Sequence, residues 1–345
     1  MDPAQPSQEL RALIQKVSGG AALSETEIRT ALEQMTEGAA TPAQMGAFLM
    51  ALRVRGETVD EITGAAQMMR ARMKRVDVPA GAVDIVGTGG DGTGTFNIST
   101  CAALIAAGAG VRIAKHGNRS VSSLAGASDV LAALGVKLDV PFEVISRAVA
   151  EAGVGFMWAP QHHPAMKHWA PVRAELGIRT IFNLLGPISN PAGVRRQVVG
   201  VFSRQWVEPI ARVLQKLGCD HVWIVHGHDG LDELTTTGAT DVTEVKGGTL
   251  RSFEVTPADA GLAPARLSDL RGGDAQTNAA AIRDVLAGKQ TPLRDIAILN
   301  AAAALIVAGK AATLTEGAAL AARAVESGAA RTALERLVAI TTGRT

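Results

Sequence analysis

From residue 83 onward, short apolar runs at 83–86, 111–114, 154–157, 197–202 and 222–226 alternate with helical patterns at 99–107, 129–134, 141–152 and 206–217. Strands separated by a helix are joined by crossovers, so they pair in parallel, and the helices cover both faces of the sheet. Two further runs, 241–245 and 250–255, are joined by Gly247-Gly248 and predict a peripheral hairpin. The Ala-rich C-terminal region reads as helices that close the layer.

The N-terminal region has a different rhythm. Ser24 with Glu27, Thr41 with Gln44, and Thr58 with Glu61 are three capping boxes, and Pro42 stands at a first helical position. Stripes of helical spacing follow: Ile28, Leu32, Met35; Met45, Phe48, Leu49, Leu52; Ile62, Ala65, Ala66, Met69, Met73. Leu10, Leu13, Ile14 and Val17 add a fourth, so a small four-helix domain precedes the sheet.

Composition narrows the partners. The 345 residues correspond to about two domains, and 47% hydrophobic residues supply a large core. Lys and Arg total 34 against 33 for Asp and Glu, so no global field recruits nucleic acid or an anionic membrane. Aromatics at 3%, with no tyrosine, offer few rings for stacking bases. The apolar stretches 101–113 and 298–308 fall short of the ~20 residues a membrane span needs and read as buried core; Asn300 interrupts the second. Two cysteines make no disulfide framework, and the polar N-terminus lacks the basic start and apolar run of a secretory signal. A reducing cytoplasm is the expected compartment.

The strongest local signal is the glycine-rich stretch after the first strand, with Gly87, Gly89, Gly90, Gly92 and Gly94 leading through Thr95-Phe96-Asn97 into a helix. Glycines let backbone N–H groups approach an anion, and the helix start adds its dipole. A dinucleotide fingerprint would demand an acid at the end of the next strand, where Lys115-His116 stands instead, and no Walker lysine follows. Lys115 to Ser123 lies just past the second strand and should face the glycine loop across one ligand, with Lys115, Arg119 and the serines as phosphate partners.

Asp232 and Glu233 behind the fifth strand either are exposed turn acids or hold a hard divalent cation, for which Mg2+ is the natural choice. His226 and His228 lack a third soft ligand for zinc. Arg173 and Arg179 either meet a carboxylate or form salt bridges with Glu175. His162 and His163 read as loop residues, and Cys101 as a small core residue.

In order, Gly87-Thr88-Gly89-Gly90-Asp91, Phe96-Asn97-Ile98-Ser99-Thr100, Lys115-His116-Gly117-Asn118-Arg119, His163-Pro164-Ala165-Met166-Lys167, Arg179-Thr180-Ile181-Phe182-Asn183 and Asp229-Gly230-Leu231-Asp232-Glu233 resemble the anthranilate phosphoribosyltransferases over nearly the whole chain. The resemblance implies an α/β fold with a small N-terminal helical domain, 1–78 with a returning segment near 170–190, plus a large domain, 79–345, whose mostly parallel sheet is flanked by helices. The wider fold is similar to that of the pyrimidine nucleoside phosphorylases. A homodimer through the helical domains is implied, with the site in the interdomain cleft.

The same resemblance implies transfer of a phosphoribosyl group to the anthranilate amine with release of pyrophosphate, in tryptophan biosynthesis. It assigns Gly87, Gly90, Asp91, Thr95, Asn97, Ile98, Ser99, Thr100, Lys115, His116, Gly117, Asn118, Arg119, Ser120, Val121, Ser122, Ser123 and Ala127 to phosphoribosyl pyrophosphate. Gly87, Asn118 and Arg173 are assigned to anthranilate, and Ser99, Asp232 and Glu233 to Mg2+. Leu124 and Ala127 depart from the family pattern, where relatives often carry Lys and Ser. No general base is evident; His116 is a candidate proton acceptor or a structural residue. The rival readings are a nucleoside phosphorylase, against which the acid pair, Asn118 and Arg173 speak, and a non-catalytic nucleic-acid-binding relative, which the charge balance disfavours.

Overall fold

The computed structural model describes residues 7–119 and 124–344. Four helices come first: α1 (Gln8–Ser18), α2 (Glu25–Thr36), α3 (Pro42–Arg55) and α4 (Val59–Arg72). All three capping boxes form, with Ser24, Thr41 and Thr58 each accepting from the N–H three residues on while Glu27, Gln44 and Glu61 reach back. Each cap contributes about 1 kcal/mol. The predicted stripes are the buried faces, and Trp169, Val172, Ile181, Phe182, Leu184, Leu185 and Ile188 join the same apolar cluster. Trp169 Nε1 donates to Thr36 Oγ1 at 2.9 Å inside it.

Seven strands form one sheet in the order β3-β2-β1-β4-β5-β6-β7. They are β1 (Val83–Gly87), β2 (Ile113–Gly117), β3 (Val154–Trp158), β4 (Arg196–Gly200), β5 (His221–Gly227), β6 (Thr240–Lys246) and β7 (Thr249–Val255). The first five are parallel, and β6 and β7 add the antiparallel hairpin. Its turn residues Gly247 and Gly248 have φ of +56° and +80°, the left-handed pair a two-residue hairpin turn requires.

After β1 the chain builds outward to β3 and then returns to the other side of β1 with β4. The switch point of the sheet therefore lies between β1 and β4, and the strand C-termini there are where open α/β sheets bind their ligands. Gly87, Gly200 and Val225 stand in register there.

Between and after the strands run α5 (Ile98–Gly108), α6 (Ala127–Ala133), α7 (Phe142–Glu151), α8 (Ala159–His162), α9 (Ala170–Leu176), α10 (Ile181–Leu185), α11 (Val207–Lys216), α12 (Ala275–Leu286), α13 (Pro292–Val307), α14 (Leu314–Glu326) and α15 (Ala329–Thr342). The two Ala-rich stretches are α5 and α13, which pack on each other in the core as expected. Among the described residues no helix is long and apolar enough to cross a membrane.

The second strand differs from its predicted span. It starts and ends later, so Lys115 and His116 are strand residues rather than the start of a loop. Alternation sends their side chains to opposite faces of the sheet. Lys115 Nζ and His116 Nδ1 find backbone carbonyls inside the fold, which lets a strand absorb both residues.

Candidate active site

The turn after β1 is built from glycine for a backbone reason. Gly89, Gly90, Gly92 and Gly94 all have φ between +67° and +79°, a region costing other residues roughly 1–2 kcal/mol each. Thr88 ties the turn to β4: its N–H donates to the Gly200 carbonyl at 2.9 Å, and its Oγ1 accepts from Phe202 N–H at 3.0 Å. The far side is stitched to 270–272, where Phe96 N–H meets the Leu270 carbonyl and Gly272 N–H the Gly94 carbonyl.

Asn97 stands at the N-cap of α5 but does not cap it. Its carboxamide donates instead to the Ala125 carbonyl at 3.2 Å and accepts from the buried Asn278 at 2.9 Å. The start of α5 thus carries no side-chain cap, and its dipole faces the glycine turn.

Asp232 fills the switch point. A Cβ on Gly87 would stand 2.3 Å from Asp232 Oδ2, and one on Gly200 only 1.5 Å from the Asp232 carbonyl oxygen, so both strand ends must be glycine. Gly89 N–H donates to Asp232 Oδ2 at 2.6 Å, and Ser99 N–H to Glu233 Oε1 at 3.2 Å. Both acids are buried, which removes the alternative of exposed turn acids.

Burial, reinforced by the nearby Asp91, pushes the Asp232 carboxyl up to about 7; burial and Asp232 push Glu233 up to about 8. Clustered carboxylates short of positive charge favour a cation. Ser99, Asp232 and Glu233 are brought together, and their hard oxygen donors suit Mg2+.

Lys115 lies on the same side. It is 3% exposed, with Nζ donating to the Ile85 carbonyl at 2.5 Å and to Ser99 Oγ at 3.2 Å. Burial lowers its pKa while Asp84, Glu233 and Asp232 push it back up. The loop cation expected from the sequence is therefore a buried charge at the base of the acid cluster, drawn there by those carboxylates.

His116 occupies the other face. Its Nδ1 lies 3.2 Å from the Gly186 carbonyl and its ring 5.1 Å from that of His163. Burial, then His163, holds its pKa well below the ordinary imidazole value, so the ring is neutral, carries its proton on Nδ1 and keeps Nε2 as acceptor. His163 is itself buried and pushed down to about 4, and His162 stacks on Phe142 with Nδ1 3.0 Å from the Lys74 carbonyl. His162 closes α8 instead of lying in a loop, and His163 stands in the link that follows, as expected, though both are buried. Behind His116, the fully buried Asp84 accepts from its N–H at 3.2 Å and from Asn190 Nδ2 at 2.7 Å; burial raises Asp84 to about 6.

Beyond β2, Asn118 and Arg119 are exposed, and Arg119 lies over Trp158 at 5.9 Å and 3.6 Å from Asp129. Ala127 opens α6, beside Gly117. Ser120, Val121, Ser122 and Ser123 lie outside the described residues. Ile98 and Thr100 point their side chains into the core, so only their backbone can reach a ligand. Gly90, Asp91 and Thr95 stay partly open in the turn.

Arg173, on α9, rests 5.5 Å over Phe182, and burial lowers its pKa. No carboxylate among the described residues pairs with it, so the salt bridge to Glu175 is absent. A half-buried guanidinium without a counter-charge has donors to offer a carboxylate. Arg179 stacks on Phe202 at 4.3 Å.

The sequence reading did not single out Asp84, Asn190, Asn278 or the His116–His163 contact. Asp84 did carry a signal, as an acid inside the apolar run 83–86.

Residues 80–331 match the glycosyl transferase family a/b domain, and 11–73 match that family's helical bundle domain. The anthranilate phosphoribosyltransferase of Rhodopseudomonas palustris is 61% identical over 96% of this chain and 98% of its own. Among solved structures, the Thermus thermophilus anthranilate phosphoribosyltransferase superposes with a TM-score of 0.90 at 45% identity, covering 96% of this chain and 99% of the other. The Saccharomyces cerevisiae enzyme in complex with PRPP and Mg gives 0.89 at 29% identity, covering 98% and 99%. Both family domains are matched and these relatives cover nearly the whole chain, so the chain belongs to the anthranilate phosphoribosyltransferase family.

Proposed function

We propose that the protein transfers the phosphoribosyl group of phosphoribosyl pyrophosphate to the amine of anthranilate, releasing pyrophosphate, in tryptophan biosynthesis. The observation that carries this reading is the buried Asp232–Glu233 pair wedged between Gly87 and Gly200 beside an uncapped helix start. Two buried acids next to an anion-binding turn make sense when a cation links them to a polyphosphate.

In this reading the turn from Gly87 to Thr95, the start of α5 at Asn97 to Thr100, and the segment from Lys115 to Ser123 with Ala127 hold phosphoribosyl pyrophosphate. Ser99, Asp232 and Glu233 hold Mg2+, which when bound offsets charge on the departing pyrophosphate. Gly87, Asn118 and Arg173 hold anthranilate. The turn N–H groups and the α5 dipole stabilise the negative charge that builds as the C1′–O bond breaks. Arg173 grips the anthranilate carboxylate bidentately, so that the amine meets C1′ opposite the leaving group and the configuration inverts.

His116, neutral and weakly basic, has little pull on an amine proton; that proton becomes acidic once the C–N bond forms and is then lost to water. Its acceptor Nε2 suits an orienting role.

The division of the chain at residue 78, with 170–190 returning to the bundle, belongs to the same proposal: the two family matches meet between 73 and 80, and residues from 169 to 188 share an apolar cluster with the four helices. Exposed Val54 on α3 and Ile178 after α9 support a homodimer through the helical region. The cytoplasm is the proposed compartment.

Decay of anthranilate fluorescence tests the reading: it is expected only when the ribosyl donor and Mg2+ are both present, with pyrophosphate accumulating. Phosphorolysis of a nucleoside without anthranilate consumption would overturn it.

A further inference from the structure

A single polar side chain, Asn300, lies fully buried inside the Ala-rich α13. It grips both backbone groups of Leu234. The Leu234 N–H donates to Asn300 Oδ1 at 3.0 Å, and Nδ2 donates to the Leu234 carbonyl at 2.8 Å. The other Nδ2 proton goes to the Ile296 carbonyl at 2.9 Å. Every polar atom of the carboxamide is used, and the pair acts as one rung of a sheet ladder that fixes the orientation as well as the position of the residue it holds.

Leu234 directly follows Glu233, and Leu231 directly precedes Asp232; both leucines are fully buried. The acids between them are thus anchored on each side. The earlier shoulder is braced by Asp229, whose Oδ1 accepts from Leu231 N–H at 3.2 Å and whose Oδ2 accepts from Thr235 and Thr237 hydroxyls at 2.6 Å. These contacts tie the turn only to itself. Asn300 ties it to α13, and α13 packs on α5, whose Ser99 N–H meets Glu233. The helix holding one donor and the turn holding the other two are registered through the same element. Without that tie, repulsion among Asp91, Asp232 and Glu233 would drive the turn toward water.

We propose that Asn300 is a positioning residue that sets the cation affinity of the Asp232–Glu233 pair from the far side of its turn. The inference rests on the reading of that pair as Mg2+ donors.

The test compares Asn300→Ala with Leu299→Ala, a fully buried neighbour on the same helix with no bond to the turn. Mn2+ binding is counted by electron paramagnetic resonance of the free ion, with phosphoribosyl pyrophosphate present and anthranilate absent. Hydrogen exchange of the 229–236 segment is followed without ligands. Asn300→Ala should weaken Mn2+ binding by about tenfold, because the donors lose their register. It should also speed exchange at the Leu234 amide while the KM for anthranilate moves by less than about twofold. Leu299→Ala, even with a lower melting temperature, should leave Mn2+ affinity and Leu234 exchange unchanged.

Asn300→Ser, which leaves room for a water to meet Leu234, carries the same expectation at about threefold if the alanine protein does not fold. Unchanged Mn2+ affinity in a folded Asn300 variant, or an equal loss in Leu299→Ala, overturns the positioning role. Wild-type protein that binds Mn2+ no better than the Asp232→Asn, Glu233→Gln double variant overturns the metal assignment instead.

Discussion

The two turns that meet at the β1/β4 switch point are fastened in opposite ways. The glycine turn from Gly87 to Gly94 is held at its ends, by Thr88 on β4 and by 270–272, and once between them by Gly89 N–H on Asp232, while Gly89, Gly92 and Gly94 have open space where a Cβ would be. The acid turn is locked from within by Asp229 and from below by Asn300, with both flanking leucines in the core. One turn keeps backbone donors available for an anion. The other spends its hydrogen bonds on holding two carboxylates where they repel. An adaptable grip on a phosphate can tolerate motion; a pair of charges that must share a cation cannot.

The sharpest way to break the contrast is Gly200→Ala. Its Cβ would fall 1.5 Å from the Asp232 carbonyl oxygen, so the acid turn must move. Displacement of about 1 Å costs roughly 10²-fold in turnover, and overpacking adds about 1–3 kcal/mol of destabilisation. Steady-state kinetics and a thermal melt check both.

Arg173→Ala touches neither turn and should separate the substrates. Losing a charge-assisted bidentate contact of about 2–3 kcal/mol should raise the anthranilate KM roughly 30- to 160-fold with the donor KM little changed. Equal loss for both substrates would place Arg173 elsewhere.

In the glycine turn, Gly92 has nothing near its absent Cβ, so Gly92→Ala should cost only the left-handed strain. That is about 1–2 kcal/mol, or roughly tenfold in donor KM with metal affinity unaffected. A loss as large as that of Gly200→Ala would erase the distinction between the turns.

The smallest effect is on stability against pH without metal. Asp232 and Glu233 are raised to about 7 and 8 from ordinary carboxyl values, so the fold prefers them protonated, and stability falls as pH rises toward and through those values. The buried imidazoles His116 and His163, with lowered pKa, act only as pH falls below the ordinary histidine value and stay silent in this window. Melting should drop by about a few degrees between roughly pH 6.5 and 8.5. The drop should vanish in the Asp232→Asn, Glu233→Gln variant.

Local chemistry was legible in the sequence. The capping boxes, the helical stripes, the hairpin turn and the glycine turn each depend on residues a few positions apart, and each forms where it was expected. Depth and distant pairing were not legible. Lys115 and His116 look like a basic loop, yet β2 extends through them because Asp84, Ile85, Ser99 and Gly186, distant in sequence, supply buried partners. Glu233 meets Ser99 across 134 residues and Leu234 meets Asn300 across 66, separations at which no spacing rule operates. Asn300 was visible only as a polar interruption in an apolar stretch. Its partner required the fold.

The most direct test is equilibrium binding of phosphoribosyl pyrophosphate with and without Mg2+, in wild type and in the Asp232→Asn, Glu233→Gln variant. Mg2+ is expected to tighten binding to the wild type and to do nothing for the variant. The same Mg2+ response in both proteins would contradict the claim that the buried acid pair links the cation to the diphosphate.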